Sequence, residues 1–132
     1  MTGKAEIYID GSSRGNPGPG GIGIYIKAGD DEFRISEPIG SVTNNEAEYQ
    51  ALIRALEEAK RLNLDEILIK TDSSLLANQI LGNYRIKSRK IVPLYRRVIK
   101  LLSNFRYKIL LIPREENRIA NNLALNASLT SG

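Results

Sequence analysis

The chain has 132 residues, 42% of them apolar, which predicts a single domain over residues 1–132 built around one core. It contains no cysteine and no histidine, so disulfides, thiolate zinc sites, histidine-ligated metals and Ser-His-Asp or Cys-His catalysis are excluded. The net charge of +4 conceals a segregation: Ser73 to Arg114 holds ten Lys or Arg and no acid, which leaves the remainder at −6. A stretch of this kind either attracts polyanions or forms a solvated face balanced by acids elsewhere in the fold. Met1 to Lys4 carries no apolar signal region and no run reaches membrane length, so a cytoplasmic monomer without membrane contact is the expectation.

In chain order, Ala5 to Asp10 reads as a strand and Gly11 to Gly21 as a turn rich in Gly, Pro, Ser and Asn. Gly23 to Ala28 alternates as a strand, Gly29-Asp30-Asp31 signals a turn, and Glu32 to Pro38 returns as the hairpin partner. Thr43 caps a helix to about Leu62, in which Ala47, Ala51, Leu52, Ala55, Leu56 and Ala59 keep a helical period. Glu66 to Thr71 is a short apolar strand of the buried parallel kind. Ser73 to Leu81 is helical and stops at Gly82, and Arg89 to Asn104 is a longer helix with Pro93 in its first turn. Phe105 to Ile112 is a strand halted by Pro113, and Glu116 to Leu129 a final helix. The order β-β-β-α-β-α-α-β-α predicts an α/β fold. Its five-stranded mixed sheet joins an antiparallel hairpin portion to parallel strands, flanked by helices.

Three acids fall where elements end or begin. Asp10 closes the run Ile7-Tyr8-Ile9, Asp72 closes Ile67 to Thr71, and Glu48 lies in the first turns of the helix from Thr43. If the first and fourth strands are neighbours, Asp10 and Asp72 stand together beyond their carboxyl ends, where sites gather in such sheets. Carboxylates brought together repel unless a cation lies between them, so the pattern points to a divalent metal with oxygen ligands. Glu46 competes with Glu48, but the two point about 200° apart on a helix. Glu46 sits three residues after Thr43 and reads as its capping-box partner. Glu48 lies on the side of Leu52 and Ala55, toward the sheet.

The stretches Asp10-Gly11-Ser12-Ser13-Arg14-Gly15-Asn16-Pro17-Gly18-Pro19-Gly20-Gly21, Thr43-Asn44-Asn45-Glu46-Ala47-Glu48 and Thr71-Asp72-Ser73 resemble the ribonuclease H type 1 family. Gly82 to Lys87, Pro93-Leu94-Tyr95 and Pro113 to Asn117 extend the resemblance over nearly the whole chain. It implies a ribonuclease H-like fold and endonucleolytic cleavage of the RNA strand of an RNA–DNA hybrid with two Mg²⁺ or Mn²⁺ ions. Asp10 then bridges the ions, and Glu48 and Asp72 hold the one on the leaving-group side. Two alternatives from other classes stay open: a hybrid-binding module without turnover, and a related nuclease acting on double-stranded RNA or RNA–DNA junctions.

The family places a fourth acid in the last helix, where this chain reads Glu116-Asn117-Arg118-Ile119-Ala120-Asn121. Asn121 is the residue at the fourth catalytic and metal position. An amide oxygen ligates Mg²⁺ but adds no charge. Three readings of Asn121 are open: an introduced Asp-to-Asn change that traps substrate, a natural enzyme with three carboxylates and weaker metal binding, or a natural pseudoenzyme. The resemblance also implies a loop histidine before this helix, which is absent. Arg114 or Glu115 stands near that place, Arg114 as a phosphate contact or as a surface ion pair. Asn16, Asn44 and Asn45 match positions that contact the minor groove, with Ser13, Thr43 and Ser74 beside them. Asparagines also make turns and caps, which is the plainer role for Asn44 and Asn45. Arg85, Lys87, Arg89 and Lys90 lie where some members carry a basic protrusion that grips the hybrid.

Overall fold

The computed structural model describes residues 3–130, and in it alternation, capping and close helix–sheet contacts account for the architecture. Strands β1 (Gly3–Ser13), β2 (Gly18–Ala28) and β3 (Asp31–Val42) form an antiparallel meander. Helix α1 (Asn44–Arg61) crosses to β4 (Leu64–Thr71). Helices α2 (Ser74–Ile80) and α3 (Ile91–Leu102) then lead to β5 (Arg106–Leu111), and α4 (Arg118–Thr130) closes the chain. The sheet order is β3-β2-β1-β4-β5, with β1, β4 and β5 parallel. The expected order of elements and the mixed sheet are both present. Among the described residues no helix is long and apolar enough to cross a membrane.

Period two divides β1 between two environments. Ala5, Ile7 and Ile9 are buried toward α1, whereas Glu6, Tyr8 and Asp10 point to the opposite face. Helix α1 offers the matching stripe of Ala47, Ala51, Leu52, Ala55, Leu56 and Ala59, small enough for a close approach. Its start is fixed by a complete capping box: Glu46 N donates to Thr43 Oγ1 (3.2 Å) and Thr43 N donates to Glu46 Oε1 (2.9 Å). Helix α4 covers the other face only above β2, β3 and the upper end of β1. There its backbone comes so near that a Cβ on Gly23 would stand 2.1 Å from Ala120 O.

The expected turn over Gly11 to Gly21 is too long. Strand β1 continues to Ser13 and β2 resumes at Gly18, so only Arg14 to Pro17 make the connection. Two of the glycines that read as turn signals, Gly11 and Gly21, are strand positions stripped of side chains because α1 and α4 press on them, whereas Gly15 stays in the turn with a φ of +134°. Strand β3 likewise runs beyond Pro38 to Val42, since a proline on an edge strand interrupts no interior ladder. The last helix begins at Arg118 rather than Glu116, after a single 3-10 turn over Arg114–Glu116. Helix α3 begins at Ile91, two residues after the expected start.

Gly23→Ala should therefore destabilise the protein by about 1–3 kcal/mol or more, as overpacking against an unyielding neighbour does. Urea unfolding of the two proteins checks this, with the slope of the transition unchanged.

Candidate active site

Parallel pairing of β1 with β4 sets Ile9 beside Thr71, so Asp72 leaves the end of β4 next to Asp10, which stays in β1 opposite Gly23 of β2. Glu48 reaches the same point from α1. Its helix lies tight on β1 at Gly11, where an added Cβ would meet Ala47 C at 2.1 Å. That contact lets Gly11 N–H donate to Glu48 Oε1 and fixes the carboxylate against the strand. One oxygen from each of Asp10, Glu48 and Asp72 lies within 4.8 Å of the others. Glu46, two residues from Glu48, is held away by its cap.

Burial pushes the Asp10 carboxyl up from its ordinary 3.8 to about 7, and the Asp72 charge adds to the rise. Hydrogen bonding from Asn121, the Arg114 charge and Gly11 N–H oppose it. Glu48 is also raised well above its ordinary range, first by burial and then by Asp10. Two buried acids and a third at their side, all offering oxygen, are a donor set suited to a hard divalent cation.

Two amides from the last helical segment complete the cluster. Asn117, which is buried, donates from Nδ2 to Ile9 O (2.9 Å) and to Asp72 Oδ2 (3.3 Å). Asn121 Nδ2 donates to the same Asp72 oxygen at 3.0 Å. Both donors fall on Oδ2, so Asp72 is clamped through one oxygen. Asn117 was legible only as part of a motif. A buried amide tying α4 to β1 is a tertiary contact, and nothing local marks it.

A cleft of about 350 Å³ over the carboxylates is lined by Asn44, Asn45, Ser12, Ser73 and Arg114 among others. Arg114 thus reaches the acids, and it makes no ion pair among the described residues. Asn44 Oδ1 accepts from Ser13 N (3.2 Å) and Asn16 Oδ1 accepts from Asn44 N (2.9 Å), which stitches the β1–β2 turn to the start of α1. Asn45 Oδ1 is buried without a partner at the cleft. Ser13 Oγ donates to Val42 O (2.7 Å), Thr43 is spent on its cap, and Ser74 Oγ accepts from Asn78 Nδ2 (3.2 Å). These three hydroxyls serve local structure. Arg85, Lys87, Arg89 and Lys90 are exposed in the α2–α3 connection, outside the carboxylate cleft and without ion pairs among the described residues.

Residues 8–127 match the family model described as reverse transcriptase-like. A bifunctional protein of Mycobacterium tuberculosis is 38% identical over 128 residues, covering 94% of this chain and 35% of its own length. Ribonuclease HI of Halobacterium salinarum is also 38% identical over 128 residues, covering 95% of this chain and 64% of its own length. The chain therefore spans between a third and two thirds of these curated relatives. The crystal structure of RNase H1 from the same archaeon superposes with a TM-score of 0.92 at 36% identity, covering 98% of this chain and all of that one. LC11-RNase H1, solved in complex with an RNA/DNA hybrid, gives 0.89 at 34% identity, covering 96% and 97%.

The raised acids set the pH response of the metal-free protein. Asp10 holds its proton more tightly folded than unfolded, so its contribution is complete below about pH 4 and is lost as pH rises through about 7. Glu58 has the opposite sign. Arg61 and Arg54 pull it down to about 2, so its contribution is lost only as pH falls below its ordinary 4.5. Melting in chelator should show Tm falling from pH 5 to about pH 7.5. Added Mg²⁺ or Mn²⁺ should cancel that fall by binding the folded state.

Proposed function

The chain belongs to the ribonuclease H type 1 family, and we propose that it is an endoribonuclease that cleaves the RNA strand of RNA–DNA hybrids. The observation that carries the proposal is the convergence of Asp10, Glu48 and Asp72 from three separate elements, with the first two buried and protonation-prone. Such an arrangement costs stability and has no structural use without a cation to hold. The relative whose structure contains an RNA/DNA hybrid supports the substrate assignment.

Asp10, Glu48 and Asp72 would hold Mg²⁺ or Mn²⁺, two ions in the full reading, with Asn121 in the fourth ligand position through its amide oxygen. A bound ion supplies an activated water and charge neutralisation at the scissile phosphate. The protein's own groups do the rest. Gly11 N–H fixes Glu48, and Asn117 fixes Asp72, so neither carboxylate must reorganise as charge develops. Arg114 steadies a phosphate oxygen beside Asp10 with a guanidinium that matches phosphate geometry. Asn45 Oδ1, a buried acceptor at the cleft, is suited to a 2′-hydroxyl proton, the group that distinguishes RNA from DNA. Asn16 and Asn44 have committed their oxygens to the turn and keep amide donors for the groove.

Asn121 contributes no charge and meets Asp72 through its NH₂. This amide relieves the repulsion that a fourth carboxylate would add, at the expense of metal affinity. Asn121→Asp should lower the stability of the metal-free protein slightly, tighten metal binding and raise hybrid cleavage by about 10–100-fold. Asp10→Ala should abolish cleavage. Single-turnover cleavage of a labelled hybrid by the three proteins, with metal titrated, tests both. An Asn121→Asp protein no faster at any metal concentration removes Asn121 from the ligand set. Duplex RNA and DNA run in parallel discriminate the substrate, since equal affinity for hybrid and DNA would overturn the recognition assigned to Asn45.

Arg85, Lys87, Arg89 and Lys90 are proposed to touch phosphates without reading bases. Lys87→Ala with Arg89→Ala should weaken binding evenly across sequences and reduce the salt slope by about 0.7–0.9 per lost contact. An unchanged slope would make the run a solvated face.

A further inference from the structure

The sheet has two edges, and they are treated differently. Strand β3 carries Pro38, its ladder with β2 shifts at Gly20/Gly21, and Ser36 Oγ donates to Leu123 O of α4 at 2.7 Å. Proline, irregularity and a covering helix are the ordinary means of closing an edge. Strand β5 has none of these. Its outward backbone groups take no hydrogen bond among the described residues. It is also exposed on both faces, with Tyr107 at 41%, Leu110 at 47% and Leu111 at 48%. Parallel strands are usually buried on both faces, so this one lacks a cover.

The ladder registers show which chemistry the edge presents. On the face away from α1, one row runs Lys27, Glu6, Leu68, Lys108 and the next runs Lys4, Glu66, Arg106. Both acids are already engaged, Glu6 by Lys70 at 3.0 Å and Glu66 by Lys4 at 3.1 Å. Lys27 and Lys108 have no carboxylate within 4 Å among the described residues, and Arg106 meets Asp65 only at 3.9 Å. These cations border an open cavity of about 570 Å³ floored by Leu68. On the other face Tyr107 and Leu111 flank Ile109. Basic side chains on an edge also deter aggregation, but that role does not account for the apolar groups left bare beside them.

We propose that β5 is a docking edge for an extended segment of another protein in which acidic and apolar side chains alternate. Added as a sixth strand, such a segment satisfies the free backbone groups. Its acids then lie over Arg106 and Lys108, and its apolar residues beside Tyr107 and Leu111. A second copy of this chain is a poorer occupant. Antiparallel pairing centred on Lys108 sets two lysines opposite each other, centring on Tyr107 sets Arg106 against Lys108, and centring on Ile109 sets Lys108 against Leu110, so none of these registers gives the cations an acid. The proposal does not depend on the hydrolytic reading, because the edge shares no residue with the carboxylate cleft.

The test uses the whole chain and a short end-capped peptide alternating glutamate and valine, followed by ¹H–¹⁵N amide shifts. The expected result is a saturable shift of the Arg106–Leu111 amides. Arg106→Glu with Lys108→Glu should weaken it about tenfold or more, as attraction across the strand pair becomes repulsion. Hybrid binding should be unaltered by the double change, and the protein should stay folded with Tm a few degrees lower, because a glutamate at 106 faces Glu66. A lysine–valine peptide that binds equally well, no shift at millimolar peptide, or shifts confined to residues 85–90 or the carboxylate cleft would each overturn the proposal. A peptide-free dimer dispersed by the double change would also overturn it, assigning the edge to a second copy.

Discussion

The close seating of α1 on β1 at Gly11 is the contact on which the site depends. No side chain larger than hydrogen fits between that strand and the carbonyl of Ala47. This proximity turns Gly11 N–H from an ordinary strand donor into the anchor of Glu48. Glu48 is thereby brought to two aspartates delivered by neighbouring parallel strands. Capping by Thr43 and Glu46 sets where the helix starts, and so which of two nearby glutamates faces the sheet. A helix begun one residue earlier or later would rotate Glu48 by about 100° and break the cluster.

Bringing these acids together has an electrostatic cost, and the fold meets it with amides and backbone N–H groups rather than with buried cations. Asn117 and Asn121 both donate to one oxygen of Asp72, and Asn121 also relieves Asp10. Burial first, and then the repulsion among the acids that neutral donors cannot cancel, leave Asp10 and Glu48 proton-hungry. Arg114 is the nearest full positive charge to the cluster, but its exposed position leaves it much of its hydration. A site left in this balance is suited to a divalent ion, whose charge would displace the protons that burial and mutual repulsion lead Asp10 and Glu48 to hold.

The lower half of the sheet shows a different solution to exposure. Where α4 ends its cover, Tyr8 and Tyr25 lie 5.6 Å apart, with Lys70 and Arg34 each 4.9 Å above a ring. Cations with long apolar stems seal that surface in place of a helix. The seal stops at β4, and β5 beyond it is left open on both sides. One sheet thus carries a carboxylate cluster at its carboxyl end, a self-satisfied polar patch and an unpaired strand.

Local signals settled much of this protein. Period-two runs ending in Asp10 and Asp72, the Thr43–Glu46 box and the helical spacing of alanines each report a short-range preference, so the order of elements and the three acids could be read directly. The absence of histidine and cysteine confined the chemistry to oxygen ligands in the same way. Tertiary structure decided what depends on contacts between distant residues. Gly11 and Gly21 became strand positions with α1 and α4 pressed against them, in a stretch whose composition otherwise means turn. Asn117 became a structural clamp, Ser13 and Ser74 became local braces, and Asn45 kept a free oxygen at the cleft, none of which a neighbouring residue dictates. The bare edge at β5 likewise follows from sheet order, which leaves the outer side of its backbone unpaired, something the six residues do not encode by themselves.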